Sequence, residues 1–235
     1  AAMAATPVAV WDGDFSAESL TKNGWTLNLK GNALSADNST ITIDRDNNGV
    51  RLDAATAVDG VTVVVRYSGL AVGSHDRGLV TSNVDSGYDR TGIRLTTGGY
   101  LCGCKNNSSN SGTLSSNGSA AGSAPNSGYM AFVYKGGTDA NARGTFIYFK
   151  TIDGTYPSNS SWGTYALSYQ ADTAISGVTL GGMRQAVSGW EAAKGMNITG
   201  VAVFEGRVSA AELNEYSFPA TAYSVTSNTS VSALN

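Results

Sequence analysis

The glutamates could carry acid-base chemistry, because hydrolysis of a glycosidic bond requires two carboxylates that face one cleft. One of the two must also hold a proton near neutral pH, which requires a raised pKa. The chain contains Glu18, Glu191, Glu205, Glu212 and Glu215. Glu212 follows Ser209 by three positions, which is the spacing of a helix capping box. A pair from distant positions, such as Asp153 with Glu191, stays open, and we predict no catalytic residue.

The chain has one histidine, His75, which lies in the polar stretch GSHDRG. A Ser-His-Asp hydrolase would have to use this histidine as its general base. The chain contains no Gly-x-Ser-x-Gly sequence, the motif that exposes the nucleophile in many such hydrolases. We therefore predict that His75 is an exposed residue of a turn.

The two cysteines, Cys102 and Cys104, are separated by one glycine in the stretch LCGCK. In an extended strand they would lie on one face, where a disulfide between them would be strained unless the chain bends at Gly103. One histidine cannot complete a four-ligand metal shell with them. We predict a local disulfide or two unreactive thiols in preference to a metal site.

Residues 44–49, DRDNNG, resemble the beginning of a calcium-binding loop. Asp44, Asp46 and Asn48 would supply oxygen ligands at alternate positions, although Ala55 stands where such a loop has glutamate. We predict instead that the same residues belong to a β-hairpin over residues 40–53, in which alternating apolar residues flank an Asn-Gly turn, with the calcium site as the alternative. Calcium remains the only cofactor that we consider.

Aromatic residues in polar stretches give the stronger indication of a binding surface. Trp162 lies in YPSNSSWGTY, together with Tyr156 and Asn159 and close to Asp153, and Trp190 lies in SGWEAAKG. Sugars present C–H faces that stack on aromatic rings, while amides and carboxylates bind their hydroxyl groups. The alternative is that each tryptophan packs against the protein. We predict that these five residues form a shallow sugar-binding surface.

The overall composition excludes some partners. Charged residues make up 14% of the chain, below the roughly 25% usual in soluble domains, and the net charge is -3. Without a basic cluster the chain lacks the surface that binds nucleic acid. Its apolar runs have the length of strands, which predicts no membrane insertion. Hydroxyl and amide side chains supply most of the polar surface, and we expect a secreted or cell-surface protein.

Short apolar-alternating segments separated by turns run through most of the chain, and the capping box at Ser209 predicts one short helix before Pro219. This pattern predicts an all-β fold, a two-sheet antiparallel jelly-roll sandwich with one short C-terminal helix. We expect residues 1–7 to be a signal-peptide stub or cloning remnant, residues 8–219 to be the jelly roll, and residues 220–235 to be an edge strand or linker tail.

The order of several segments resembles the concanavalin A-like lectin and glucanase superfamily, in particular its laminin-G-like jelly rolls. The segments are VTVVVRYSGL, GIRL with GGYL, FIYFKTIDGTYP, GVTLGGM and the helix start VSAAEL at residues 208–213. The resemblance implies a sandwich with the helix covering one edge, and in this family calcium commonly binds at the sandwich rim. The glucanase signature of two glutamates around an aspartate is absent from this chain.

These observations predict a non-catalytic extracellular glycan-binding or adhesion module, similar to a lectin. Its partner would be a polysaccharide or a glycoprotein glycan, and it could form part of a larger multidomain protein. The alternatives are a structural domain of a secreted surface protein and a glycoside hydrolase or lyase of the same fold.

Overall fold

The computed structural model describes residues 5–45, 49–83, 90–99, 101–106, 125–135, 144–156, 174–182 and 190–219. These residues form the strands β1 (Ala9–Asp12), β2 (Thr21–Lys22), β3 (Trp25–Asn28), β4 (Ala33–Leu34), β5 (Ile41–Thr42), β6 (Val50–Val58), β7 (Gly60–Ser68), β8 (Asp76–Asn83), β9 (Arg90–Leu95), β10 (Leu101–Asn106), β11 (Gly128–Lys135), β12 (Gly144–Lys150), β13 (Ile175–Leu180), β14 (Trp190–Ala192) and β15 (Asn197–Glu205), and the helix α1 (Ala210–Glu215).

The strands form two sheets. Sheet A has the order β12-β11-β7-β15-β5-β4, with β1 paired to β15. Sheet B has the order β10-β9-β8-β13-β6-β3-β2, with β14 paired to the beginning of β8. The pairings are antiparallel except that of β14 with β8. The prediction of a two-sheet antiparallel jelly-roll sandwich with one short helix is therefore confirmed, whereas the division at residues 7 and 219 remains a prediction.

The hairpin predicted for residues 40–53 is wrong, because its two arms belong to different sheets. β5 pairs with β15 and β4 in sheet A, whereas β6 pairs with β13 and β3 in sheet B. Ile41, Ile43, Val50 and Leu52 are all fully buried. Alternating apolar residues indicate one buried face but do not say which sheet carries it. These two arms face the same core from opposite sides.

The main core fills the space between the two sheets. Its largest fully buried side chains include Trp11, Phe15, Phe132 and Leu27. In β7, Val63 and Val65 face this core while Val64 faces the other side of sheet A and is also buried. In the sequence, the continuous run of valines predicts a strand that is covered on both faces, and the burial of β7 confirms this prediction.

A second apolar layer covers the outer face of sheet A. The strands contribute Val64, Ala131, Val133, Tyr148, Ala202 and Phe204, and the covering segments contribute Tyr156, Val208, Ala210, Leu213 and Phe218. The helix turns Ala210 and Leu213 toward the sheet. Burial of these side chains stabilises the position of the helix, because a six-residue helix has little stability of its own.

The caps of α1 agree with the sequence prediction. The Ser209 hydroxyl accepts a hydrogen bond from the Glu212 amide at 3.2 Å, and a Glu212 carboxylate oxygen accepts one from the Ser209 amide at 2.8 Å. The helix ends at Glu215, and the C-cap residue Tyr216 has an extended backbone. Across the part of the chain that the structure describes, there is no helix with the length and hydropathy needed to span a bilayer.

Candidate functional site

Several predicted site residues lie at one end of the sandwich, which we call the loop end. β7 and β12 end there and β11 and β15 begin there, because Tyr129 pairs with Lys150 and with Arg66, and Asn197 pairs with Ser68. Asp153 and Tyr156 follow β12 directly. They are therefore close to the end of sheet A at which four strands meet.

Residues from sheet B join the same end. Trp190 begins β14 and pairs with Asp76, and the segment after β14 leads through Met196 into β15. Asp44 also lies there, because the amide of the preceding residue, Ile43, donates to the Met196 carbonyl. The topology thus places Asp44, Asp153 and the backbone of Trp190 at this end. Asp46, Asn48, Asn159 and Trp162 lie outside the described residues.

Tyr156 lies in the interior in this structure. Its side chain is 3% exposed, and its ring packs edge-on against Tyr148 with the centroids 6.2 Å apart. Burial raises the pKa of its hydroxyl, which has no hydrogen-bond partner in the described part of the chain. The ring is therefore a packing surface between sheet A and its outer layer, whereas Asp153 is exposed.

The backbone of Tyr156 is held by a residue that sequence reasoning missed. The side-chain Oδ1 of Asn214 accepts a hydrogen bond from the backbone amide of Tyr156 at 2.7 Å, and its side-chain Nδ2 donates one to the backbone carbonyl of Tyr156 at 3.2 Å. Asn214 lies on α1, 58 positions further along the chain. An asparagine in a short helix gives no sequence signal of such a contact. Through it, the helix fixes the backbone of Tyr156, which precedes the predicted binding residues Asn159 and Trp162 in the sequence.

The same helix lines an open pocket of about 400 Å³, which we call the helix-side pocket. Its lining consists of Tyr148, Arg207, Ser209, Ala210, Ala211, Glu212 and Asn214. One wall is therefore aromatic, and the others present a guanidinium, a hydroxyl, a carboxylate and an amide. Hydrogen bonds from the Ser209 amide and hydroxyl lower the pKa of Glu212, so this carboxylate remains charged. The combination suits a polar ligand with apolar C–H faces.

Arg77 and Glu191 form an ion pair at the loop end. The Arg77 Nε lies 3.0 Å from the Glu191 Oε1, and Arg77 Nη1 donates to the carbonyls of Ala71 and Lys194. Both side chains are largely buried. A Cβ atom on Gly73 would clash with the Glu191 carboxylate and the Arg77 Nε, so any larger residue there would displace the ion pair. The pair fixes the loop between β7 and β8 to the segment after β14.

This ion pair also determines the acid-base character of Glu191. Burial alone would raise the pKa of the carboxyl group, but the hydrogen bond from Arg77, its positive charge and the His75 amide together lower it. Glu191 is therefore held in its charged form, which is unsuited to a general acid. His75 is exposed in its turn, as the sequence predicted, and its Nδ1 lies 3.2 Å from the Ser74 hydroxyl.

The calcium prediction has one described ligand. The Asp44 carboxylate is exposed and lies 3.7 Å from the Arg45 guanidinium, which would compete with a cation. Among the described residues there is no group of three or more histidine, cysteine, aspartate or glutamate side chains that could hold a metal. One carboxylate does not fit the six to eight oxygen ligands that calcium takes. A calcium site at residues 44–48 remains a prediction.

Cys102 and Cys104 lie in β10, which pairs residue for residue with β9. Cys102 pairs with Arg94 and Cys104 with Gly92, without a register shift at Gly103. The backbone therefore lacks the bend that a relaxed bridge between these residues would need.

Comparison with known proteins adds information on the fold. No family model matches the chain, and no curated protein matches it. Trypanosoma rangeli sialidase in complex with the inhibitor DANA aligns with a TM-score of 0.53 and 12% identity, over 81% of this chain and 28% of the sialidase. The same sialidase in complex with sialic acid aligns with a TM-score of 0.51 and 13% identity, over 80% of this chain and 28% of the other.

A third structure, the botulinum neurotoxin serotype D binding domain, aligns with a TM-score of 0.49 and 7% identity over 88% of this chain and 49% of the other. This chain thus spans 28% of the length of the sialidase chains. At 12–13% identity, the sialidase alignments show a shared fold only.

Proposed function

We propose that this chain is a non-catalytic glycan-binding or adhesion module of the concanavalin A-like, laminin-G-like kind, in a secreted or cell-surface protein. Its partner is a polysaccharide or a glycoprotein glycan. The two-sheet sandwich supports the proposal, as does its fold similarity to a sialidase that was solved with sialic acid. The proposed sugar-binding residues are Asp153, Tyr156, Asn159 and Trp162, together with Trp190 on β14.

The contact between Asn214 and Tyr156 carries this proposal. It fixes the beginning of the aromatic segment beside the helix-side pocket, because Asn214 both holds the Tyr156 backbone and lines the pocket. Tyr148 offers an aromatic wall there, and Arg207 offers hydrogen-bond donors. These groups suit one sugar unit of a longer glycan. In this arrangement Tyr156 supports the surface from below and does not stack on the ligand.

The module is proposed as non-catalytic because of the state of Glu191. Arg77 keeps this carboxylate charged, whereas a glycosidase needs one carboxyl group with a raised pKa. The glucanase signature is also missing from the sequence. We therefore favour a binding module over a glycoside hydrolase. A hydrolase would release sugar products, whereas a binding module would not.

A glycan array probed with the purified chain, with and without calcium, tests the proposal. We expect selective binding to a set of oligosaccharides, and we expect Trp162→Ala to abolish it while the melting temperature stays nearly unchanged. Val72→Ala is the control, since Val72 is 51% exposed and lies on a different loop. Absence of binding to any glycan would contradict the proposal. Release of reducing ends or unsaturated sugars would show instead that the chain is a glycoside hydrolase or lyase.

A large fall in the melting temperature of Trp162→Ala would show instead that Trp162 is a packing residue. The binding surface would then have to be sought at the helix-side pocket alone. Comparison of Arg207→Ala with the control Glu215→Ala, both at exposed positions, tests this second location.

A further inference from the structure

Lys150 is a half-buried cation at the end of β12, on the outer face of sheet A. Its ammonium lies 4.6 Å from the ring centroid of Tyr156 and 5.0 Å from that of Tyr129. None of the ion pairs among the described residues includes Lys150. The two ring faces attract the positive charge, but they do not replace the acceptors that an ammonium has in water.

A second cation in the same aromatic layer shows what a complete environment looks like. Arg66 lies 4.9 Å from the Phe218 ring centroid, and its guanidinium also forms an ion pair with the Asp12 carboxylate. It donates in addition to the hydroxyl and the carbonyl of Thr199, at 3.0 and 2.9 Å. Arg66 therefore has an aromatic face, a counter-ion and acceptors, whereas Lys150 has only the aromatic faces in the part of the chain that the structure describes.

The surroundings of Lys150 favour an incoming anion. Burial lowers the pKa of its amine, so the charged form lacks stabilisation that a nearby negative charge would supply. Tyr156, which lies beneath the ammonium, is 3% exposed and its hydroxyl has no partner within the described ranges. Ile152, two positions beyond Lys150 in the chain, is 53% exposed and offers an apolar surface on the segment that follows β12.

We propose that Lys150 binds the carboxylate of an acidic sugar, so that the ligand of this module is a carboxylated glycan. The proposal rests on the proposed function, because it places the charged end of the ligand beside the aromatic segment that begins at Asp153. The carboxylate accepts hydrogen bonds from the ammonium, which the tyrosine rings hold in place. Ring contacts of the sugar reach Ile152. The carboxylate can belong to a nonulosonic acid or to a uronic acid, since both present the same group.

Matched pairs of acidic and neutral glycans test this proposal. Sialyllactose with lactose represents the nonulosonic acids, and trigalacturonic acid with its methyl ester represents the uronic acids. We expect the chain to prefer the acidic member of at least one pair, and Lys150→Met to reduce that affinity by about tenfold, as loss of a charge-assisted hydrogen bond does. Lys150→Arg should keep the preference. Lys30→Met is the control, because it removes the same charge at an exposed turn away from the aromatic layer.

The outcomes separate this inference from the proposed function. Equal binding of acidic and neutral members, or a preference that survives in Lys150→Met, overturns the role of Lys150 and leaves glycan binding intact. Failure to bind any glycan on the array overturns both. If Lys150→Met does not fold, a salt titration of the unaltered chain decides, because screening should remove the preference for the acidic member and leave neutral binding unchanged.

Discussion

Replacement of Asn214 by alanine should loosen the segment that leads into the proposed sugar-binding surface. Asn214→Ala removes the two hydrogen bonds that hold the backbone of Tyr156, at 2.7 and 3.2 Å. Each contributes about 1 kcal/mol net to the free energy of unfolding, so their loss costs about 2 kcal/mol. Alanine recovers about 0.5 kcal/mol through its higher helix propensity. The expected net loss is about 1.5 kcal/mol.

Thermal unfolding and amide hydrogen exchange measure this effect. For a chain of this size, a loss of about 1.5 kcal/mol lowers the melting temperature by about 3–6 °C. The Tyr156 amide, which donates to Asn214, should lose its protection from exchange. Amides of β7, in the centre of sheet A, should remain protected. Affinity for the glycan that the array identifies should fall as well, because the backbone of Tyr156, which leads into the proposed binding residues, is no longer held by Asn214.

Two further variants make this prediction sharper. Asn214→Asp keeps an oxygen that can accept from the Tyr156 amide but places a carboxylate against the Tyr156 carbonyl, so the amide should stay protected while stability still falls. Glu215→Ala, at an exposed position of the same helix, should change neither stability nor binding appreciably. Unchanged hydrogen exchange at the Tyr156 amide in Asn214→Ala would refute the idea that Asn214 holds the Tyr156 backbone. If the Tyr156 amide loses its protection and the glycan affinity stays unchanged, the contact between Asn214 and Tyr156 has no part in binding.

Two other predictions concern the loop end and the thiols. Gly73→Ala places a Cβ atom against the Glu191 Oε1 and the Arg77 Nε, and displacing the ion pair should cost about 2 kcal/mol. The pKa of Glu191 is lowered in the folded protein, so the ion pair stabilises the fold at any pH above the ordinary pKa of a glutamate. This contribution is lost as the pH falls through the pKa that Glu191 has in the folded protein. The melting temperature of the variant should therefore lie below that of the unaltered chain at pH 7, and the difference should be smaller at pH 3. Equal melting temperatures at pH 7 would show that alanine is accommodated at position 73 without displacing the ion pair. Alkylation without reductant, followed by mass measurement, should label both Cys102 and Cys104, because the extended β10 places their Cα atoms about 6.6 Å apart, near the upper limit for a bridge. An unlabelled pair would show a disulfide.

The local features of the sequence predicted local structure correctly. The capping box at Ser209 and Glu212 depends on residues three positions apart, and the structure reproduces both of its hydrogen bonds. The valine run around Val64 indicated a strand that is buried on both faces, and it is one. In each case the physical cause lies within a few residues, so the sequence alone was sufficient.

The failed and missing predictions depend on contacts between distant residues. The arms of the supposed hairpin at residues 40–53 alternate correctly but pair with different sheets, and this choice is made by β13 and β15 far along the chain. Arg77 and Glu191 are 114 positions apart, and neither has a local signal for the other. Tyr156 stands in a polar stretch, and the sequence could not show that a helix 58 positions later would fix it in the interior.

The outer face of sheet A explains why a β-sandwich needs the helix at all. Val64, Ala131 and Phe204 are apolar residues on the side of sheet A that faces away from the main core, and without a cover they would remain in contact with water. The helix covers them with Ala210 and Leu213, and burial of these apolar side chains is sufficient to explain this face of the helix. It uses its remaining face differently, because Asn214 reaches the segment after β12 and the first turn lines the pocket. A single packing element therefore closes the apolar layer and fixes the proposed binding segment, so mutations that loosen the helix should weaken glycan binding without touching the ligand.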